Sequence, residues 1–275
     1  MIGKKTRKSN CFLRLGGWIT IVMVLLIVTG YFWTPYSSTA MDGSAKFQSP
    51  TLAHPFGTDN MGRDILSRVM EGAGTTFFIA LCVVLIGCVA GTLIGGLTGY
   101  FGGVADHVLM RICDSITAFP SILLALVLIV IFNQENQSKY VIILILGILF
   151  IPSFARVARG EFARNRSLNY IYSARLMGAG HGRILFRHIL PNTVQVLLPT
   201  ISIGFNNAVL AEASMSYLGV GVKPPDASLG RMLSEAQMYL GNAPWYALFT
   251  GLTIVLLILG FSLLGEGLGT MRRPQ

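Results

Sequence analysis

The residues able to do acid–base, metal or phosphate chemistry are few, and they gather in three places. The stretch His54-Pro-Phe-Gly-Thr-Asp59-Asn-Met-Gly-Arg63-Asp64-Ile-Leu-Ser-Arg68 holds an imidazole, two carboxylates and two guanidiniums. Neutral imidazole and carboxylates bind divalent metals, but the ligand set falls short of a full coordination shell. Pro55, Gly57 and Gly62 are turn formers, so the stretch reads as a structured loop held by ion pairs, with no metal site. Arg63, Asp64 and Arg68 hold that loop to itself or meet a protein partner. A second group is the basic run from Arg156 to Arg187. The third is a set of polar residues in otherwise apolar sequence: Ser153, Thr200, Ser202, Asn206, Asn207, Glu212 and Ser214. These either hydrogen-bond a neighbouring helix or line a polar path. No GxxxxGK[ST] phosphate loop, HExxH or GxSxG occurs. An enzyme would have to rest on an isolated Ser153 or His188 without a paired base.

The elements that carry these residues are set by composition. Of 275 residues, 53% are hydrophobic and 12% charged, where soluble domains carry about 25% charged residues. Such a chain needs an apolar solvent. Apolar runs of spanning length fall at about 15–33, 73–99, 116–133, 140–158, 194–212 and 245–265. Helices are expected there, because every backbone polar group in hydrocarbon must be paired within its own segment. Gly87, Gly91, Gly95, Gly96 and Gly99 allow close helix packing in the second run. The first run follows Lys4, Lys5, Arg7 and Lys8 and exceeds a signal-peptide core of about 7–15 residues, so it reads as an uncleaved anchor.

Placing the N-terminus inside puts 15 of the 21 Lys and Arg on the cytoplasmic side, with Arg272 and Arg273 at the other end. This asymmetry orients both termini inward and accounts for the net charge of +9 without nucleic acid. Cys11, Cys82, Cys88 and Cys113 form no CxxC pair and read as small packing residues. No charged residue lies within 73–100, 116–133, 140–155, 192–211 or 243–265. Ion-coupled transporters commonly place ionisable groups at that depth. A stand-alone secondary transporter or channel is therefore disfavoured, and energy for uphill movement would have to enter through a partner.

The basic inward loop is the place for such entry. Helical spacing over 167–177 puts Leu168, Ile171, Tyr172 and Leu176 on one face. Gly178, Gly180 and Gly182 break it. A second short helix carries Ile184, Leu185, His188 and Ile189, and Pro191 is expected to end it. The hairpin suits a protein groove or a membrane surface. Near the third run, Arg111 and Asp114 are spaced to pair at i, i+3, and Pro120 is expected to kink the span. In the last outward loop, Pro224, Pro225 and Asp226 are ringed by Tyr217, Met238, Tyr239, Trp245 and Tyr246, which read as interface anchors.

Tyr172-Ser-Ala-Arg-Leu-Met-Gly178, followed after nine residues by His188-Ile-Leu190-Pro191, resembles the EAA loop of binding-protein-dependent ABC permeases. Ala174, Gly178, Leu190 and Pro191 match; Tyr172, Ser173 and His188 replace the usual Glu, Ala and Ile. The 54–68 stretch resembles the HPFGTDxxGRDxxSR signature of the oligopeptide/dipeptide/nickel permeases. Asp106-His-Val-Leu-Met-Arg111-Ile-Cys-Asp114 with Phe119-Pro120, and Ser216-Tyr-Leu-Gly219-Val-Gly221-Val-Lys-Pro224-Pro225, resemble two more of its segments. Gly74 stands where Arg is common, and Leu229 where Trp is.

The resemblance implies an all-α, six-helix polytopic permease of the MetI-like, type I ABC importer fold, C-type subunit, in a prokaryotic inner or plasma membrane. It implies an anchor and outward loop over 1–72, a permease domain over 73–265 and a cytoplasmic tail over 266–275. It implies coupling to ATPases through Tyr172, Ser173, Ala174, Arg175, Met177, Gly178, Ala179, Gly180, Leu190 and Pro191. The translocation path would use Ser153, Asn206, Asn207, Glu212 and Ser214. The binding protein would dock near Asp59, Arg63, Asp64, Pro224 and Pro225. Expected partners are a B-type permease, two ATPase subunits, an extracytoplasmic solute-binding protein and the bilayer, with no cofactor. The cargo class is peptide, with nickel or a metal–chelator complex as the alternative.

Overall fold

The computed structural model describes residues 2–132 and 138–271, and side chains over 12–132 and 139–269. The side chains of Lys4, Lys5, Arg7, Lys8 and Cys11, and all of Asn133, Arg272 and Arg273, lie outside that range. Among the described residues there are helices and no strand, only a single bridge between Thr58 and Asp64. In chain order the helices are α1 (Ile2–Phe32), α2 (Ile65–Phe101), α3 (Gly103–Thr117), α4 (Ser121–Phe132) and α5 (Ser138–Asn165). There follow α6 (Asn169–Leu176), α7 (His181–Arg183), a π-helical turn (Ile184–Ile189), α8 (Leu190–Tyr217), α9 (Leu229–Gln237) and α10 (Pro244–Met271).

Five helical stretches are long and apolar enough to cross a membrane: 12–32, 65–101, 139–165, 181–217 and 244–269. The sixth expected span is broken. α3 and α4 meet at 85°, a corner rather than the kink that Pro120 led us to expect. Phe119 precedes a proline and is disfavoured from the helical region, so α3 stops at Thr117 and a new helix starts at Ser121. The 12 residues of α4 rise about 18 Å, short of a bilayer core of about 30 Å.

α2 starts eight residues before the expected boundary, because Asp64 caps it by accepting from the Ser67 N–H at 2.8 Å. Its 37 residues rise about 55 Å, so it passes beyond the hydrocarbon at both ends. One stripe, Phe78, Leu81, Leu85, Val89, Leu93 and Leu97, is exposed and apolar, as a lipid face should be. Another stripe, Gly87, Gly91, Gly95 and Gly99, lies against α5. A Cβ on Gly87 would sit 2.9 Å from the Phe150 Cβ, and one on Gly91 2.6 Å from the Phe154 Cβ. On Gly95 and Gly99 it would strike the backbone carbonyls of Ala155 and Arg159. Side chains are absent on the α2 side of the seam, so the α5 backbone and its Phe150 and Phe154 side chains come against the α2 backbone. α10 packs along α1 and α8, and one core of Ile65, Val69, Ile79, Val83, Phe154, Phe205, Met215 and Tyr246 runs through the bundle.

The helix expected to end at Pro191 continues to Tyr217. Pro191 falls in the first turn of α8, where a missing N–H is tolerated. The preceding π turn, with the Leu190 N–H bonded to the Leu185 carbonyl, takes up the change of register. The Asn192 side chain donates to the His188 carbonyl at 3.1 Å, and the Thr193 hydroxyl to the Ile189 carbonyl at 3.1 Å.

Replacing Gly95 with Val should force α2 and α5 apart and cost about 1–3 kcal/mol, read as a lower unfolding midpoint in detergent. Gly251→Ala, on α10 with nothing within 4 Å of the added methyl, should stay within about 0.5 kcal/mol of the parent.

Candidate functional site

At the end of the bundle where α2 begins, the 54–68 stretch builds a buried ionic clasp. Asp59 is fully buried and accepts from the Met61 and Arg63 N–H groups at 2.8 and 2.9 Å. It also accepts from Arg63 Nε at 2.7 Å and Arg68 Nη1 at 2.6 Å. Arg68 continues to Glu235 on α9 at 3.0 Å and to the Tyr246 hydroxyl on α10 at 3.0 Å. Glu235 also receives Arg63 at 3.3 Å, Arg231 at 3.0 Å and the Tyr246 hydroxyl at 3.1 Å. Asp64 is held by His54 Nδ1 at 2.9 Å and the Ser67 hydroxyl at 2.7 Å. The loop is thus tied to itself and also to α2, α9 and α10. Tyr246, expected as an interface anchor, is fully buried instead, because its hydroxyl completes this network. Pro224 and Pro225 are exposed, whereas Asp59 and Asp64 are buried.

At the opposite end of the bundle, expected to face inward, residues 166–192 form the hairpin. Gly178 has φ +80°, and the Ala179 N–H bonds to the Ala174 carbonyl at 3.0 Å while the Gly178 N–H bonds to that of Arg175 at 2.9 Å. This pair of bonds around a left-handed residue is a Schellman stop, which explains why glycine stands there. Ile171, Ile184, Leu185 and Ile189 pack with Tyr100 of α2 and Phe162 of α5 in a core of their own. The face expected from helical spacing is only partly right: Ile171 and Ala174 are buried, whereas Leu168, Tyr172 and Leu176 are exposed. The Tyr100 hydroxyl meets His181 Nδ1 at 2.8 Å and Arg175 Nη2 at 3.4 Å, so the elbow rests on the ends of α2 and α5. At its tip Leu176 is 89% and Met177 82% exposed. Tyr172, Ser173, Arg175, Gly178, Gly180 and Pro191 are exposed, Ala179 and Leu190 half-buried.

Between these ends, Asn207 and Ser214 share a face of α8 with Ile203 and Leu210, and Ser153 is exposed on α5. Asn206 is half-buried, with its Oδ1 lacking a partner among the described residues. Glu212 points the other way. It is fully buried and accepts from the Thr76 hydroxyl at 2.8 Å and the Ser216 hydroxyl at 2.6 Å. The Arg111–Asp114 pair does not form. Asp106 takes Arg159 of α5 at 2.5 and 2.6 Å, and Asp114 lies 3.9 Å from Arg156. Asp114 thus faces Arg156 of α5 in place of Arg111, beside the two parallel bonds by which Arg159 holds Asp106.

Residues 91–270 match the family described as the binding-protein-dependent transport system inner membrane component. The chain belongs to that family. This permease is 39% identical over 259 residues to a glutathione transport system permease protein, GsiD, of Pectobacterium atrosepticum, covering 92% of this chain and 85% of that one. It is 34% identical to a dipeptide transport system permease protein, DppC, of Alkalihalophilus pseudofirmus, covering 98% and 88%. Its fold is similar to that of a chain in the structure of the MetNI methionine ABC transporter in inward-facing conformations, with a TM-score of 0.58 at 19% identity over 72% of this chain and 93% of that one. An amino acid ABC transporter gives 0.53 at 19% identity, over 71% and 89%. The permease is a multi-pass inner-membrane component.

Glu235, Arg231 and the role of Tyr246 were missed by sequence reasoning. The available signal was Glu235 itself, a carboxylate on the amphipathic helix α9 in an otherwise weakly charged loop. Burial pushes the Glu235 carboxyl up, but Arg68, Arg63 and Arg231 outweigh burial and hold it below the usual carboxylate range. The folded state therefore binds fewer protons than the unfolded one. The stabilisation is complete above an unfolded value of about 4.3 and is lost as pH falls through the lower folded value. Unfolding midpoints should drop below about pH 4, and the drop should be smaller in Glu235→Gln. Asp59→Ala, which removes the buried carboxylate shared by Arg63 and Arg68 and leaves Glu235 as their remaining carboxylate partner, should cost about 3 kcal/mol by thermal unfolding at neutral pH.

Proposed function

We propose that this permease is the membrane-spanning, energy-receiving subunit of an ATP-driven importer of small peptides. The carrying observation is the inner hairpin: an exposed apolar tip at Leu176 and Met177, stopped by Gly178 and seated on Tyr100 and Phe162. A tip of that kind suits a groove on another protein. In this reading Tyr172, Ser173, Ala174, Arg175, Met177, Gly178, Ala179 and Gly180 form the contact with an ATPase subunit, and Leu190 and Pro191 join that contact to α8. Nucleotide-driven movement of the ATPases tilts the hairpin, and α2, α5 and α8 follow. Transport by such a gate requires two states that the partner biases differently.

The relatives named for dipeptide and glutathione transport support peptide cargo. The lack of a phosphate-binding loop in this chain supports ATP hydrolysis by companion subunits. The full assembly in this reading has a second permease, two ATPases and an outer solute-binding protein, with both termini of this chain in the cytoplasm. Ser153, Asn206, Asn207 and Ser214 face the path; Glu212 braces α8 from behind. The binding protein docks on the exposed Pro224–Pro225 loop, while Asp59, Arg63 and Asp64 stiffen the surface beneath it. Residues 1–72 serve as anchor and outer loop, 73–265 as the permease domain and 266–275 as the tail.

Met177→Cys should cross-link to a cysteine-bearing ATPase subunit in the assembled importer. Gly178→Val, which costs about 1–2 kcal/mol at a left-handed position and reshapes the elbow, should cut ATP-driven dipeptide uptake into liposomes at least about tenfold at unchanged permease abundance. No cross-link in any nucleotide state, or full uphill uptake without the ATPases, defeats the reading.

A further inference from the structure

A cavity of about 370 Å³ lies between α2, the π turn and α8, with Phe162 of α5 in its wall. The π turn builds it. Its hydrogen bond runs from the Leu190 N–H to the Leu185 carbonyl, which sets those two side chains one above the other on the cavity wall. In an α-helix residues five apart stand about 140° apart, and one of the two would leave the wall. Gly96 supplies the depth. A Cβ there would sit 3.1 Å from Cζ of the Phe162 ring, so the missing side chain leaves that ring open to the cavity.

Two observations select the chemistry of an occupant. The lining is apolar: its only polar side-chain atoms are the Thr92 hydroxyl and the Cys88 thiol, which face each other at 4.0 Å. A charge or peptide group would find no partner there, and a cavity of this kind stays dry. Left unfilled, its wall also forfeits dispersion contacts. The second observation is where the cavity opens. Val89, Leu93 and Leu97 belong both to its wall and to the exposed apolar stripe of α2, so hydrocarbon reaches it without crossing a polar barrier. On α8 the lining residues Leu190, Val194 and Ile201 lie roughly 150° round the helix from Ile203, Asn207 and Leu210. Arg183 and Arg187 are exposed on the turns before Leu190. Guanidiniums near the end of a span reach for the interface, which places the cavity just inside the hydrocarbon.

We propose that this cavity holds one acyl chain of a membrane phospholipid from the leaflet at the hairpin end. The chain packs against Phe162, Leu185 and Leu190 and joins the hairpin's own core to the lipid-facing stripe of α2. Selection is by the chain and not by the headgroup, because the wall offers a headgroup nothing to bind. The hairpin thereby gains a support that its few protein contacts do not supply.

The test titrates the full-length chain in detergent with phospholipids and counts retained molecules by native mass spectrometry. The parent should hold a dipalmitoyl lipid about fivefold more tightly than its didecanoyl counterpart, and should hold choline, ethanolamine and glycerol headgroups equally within about twofold. Val194→Trp, which fills the cavity, should lower retention about fivefold. Leu85→Trp, on the same α2 stripe but outside the cavity, should retain lipid like the parent. The chain-length comparison needs only the parent, so it decides if Val194→Trp does not fold. Retention indifferent to chain length, a marked headgroup preference, or equal loss in the two tryptophan variants overturns the proposal. Loss of the lipid when the permease is assembled with its partner subunits also overturns it, since the cavity would then belong to a protein interface.

Discussion

In hydrocarbon two helices gain nothing by hiding apolar surface from one another, because lipid tails are as apolar as leucine. What joins α2 to α5 is contact itself, made possible by four glycines spaced one turn apart, Gly87, Gly91, Gly95 and Gly99. Each lets the opposing backbone or a Phe side chain approach to a distance that any Cβ would forbid. Dispersion falls off steeply with a gap of a fraction of an ångström, so the seam is strong only while it is close. Both ends of the bundle are mounted on it: the clasp on the first turns of α2, and the hairpin on Tyr100 and Phe162 near the far ends of the two helices.

The two ends differ in kind. The outer clasp has Asp59 and Glu235 against Arg63, Arg68 and Arg231, with the central Asp59 and Arg68 removed from water. Buried pairs of this sort add little net stability over apolar packing, but breaking one is costly. Their effect here is to hold the 33–64 loop, α9 and α10 in one arrangement. The inner hairpin has mostly single contacts to its support: His181 and Arg175 on the Tyr100 hydroxyl, Arg166 on the Tyr100 carbonyl at 3.1 Å, and a small apolar core. A rigid clasp end and a lightly held hairpin end suit the proposed reading, in which a partner moves the hairpin.

Much of this was legible in the residues because the bilayer makes the rules strict. Long charge-free runs give helices wherever they occur, and glycine at Gly178 and proline at Pro191 marked the elbow. What misled was local. Pro191 reads as a stop, and the π turn ahead of it removes the conflict. Pro120 reads as a kink, and Phe119 makes it a corner. Arg111 and Asp114 have the spacing to pair, but Asp106 and Asp114 turn to Arg159 and Arg156 of α5. Pair formation between helices depends on which faces meet, and no spacing within one helix records that. The same holds for Glu235, whose partners lie 167 and 172 residues away in the chain.

Glu212 shows why a carboxyl at the edge of a span need not serve an ion-coupled mechanism. Thr76 Oγ1 accepts the Leu229 N–H at 3.2 Å, and Ser216 Oγ accepts the Val222 N–H at 3.1 Å. With those lone pairs engaged, each hydroxyl has its hydrogen free to point at Glu212. The carboxyl is therefore satisfied at both oxygens by groups that themselves stitch α2, α8 and the start of α9 together. A buried polar group so fully partnered rigidifies its surroundings. On the opposite face of α8, Asn207 is exposed and Ser214 half-buried, alongside the exposed Ile203 and Leu210. The helix is thus braced on the Glu212 face, and in the reading proposed above uphill work along the other face comes from moving the helix.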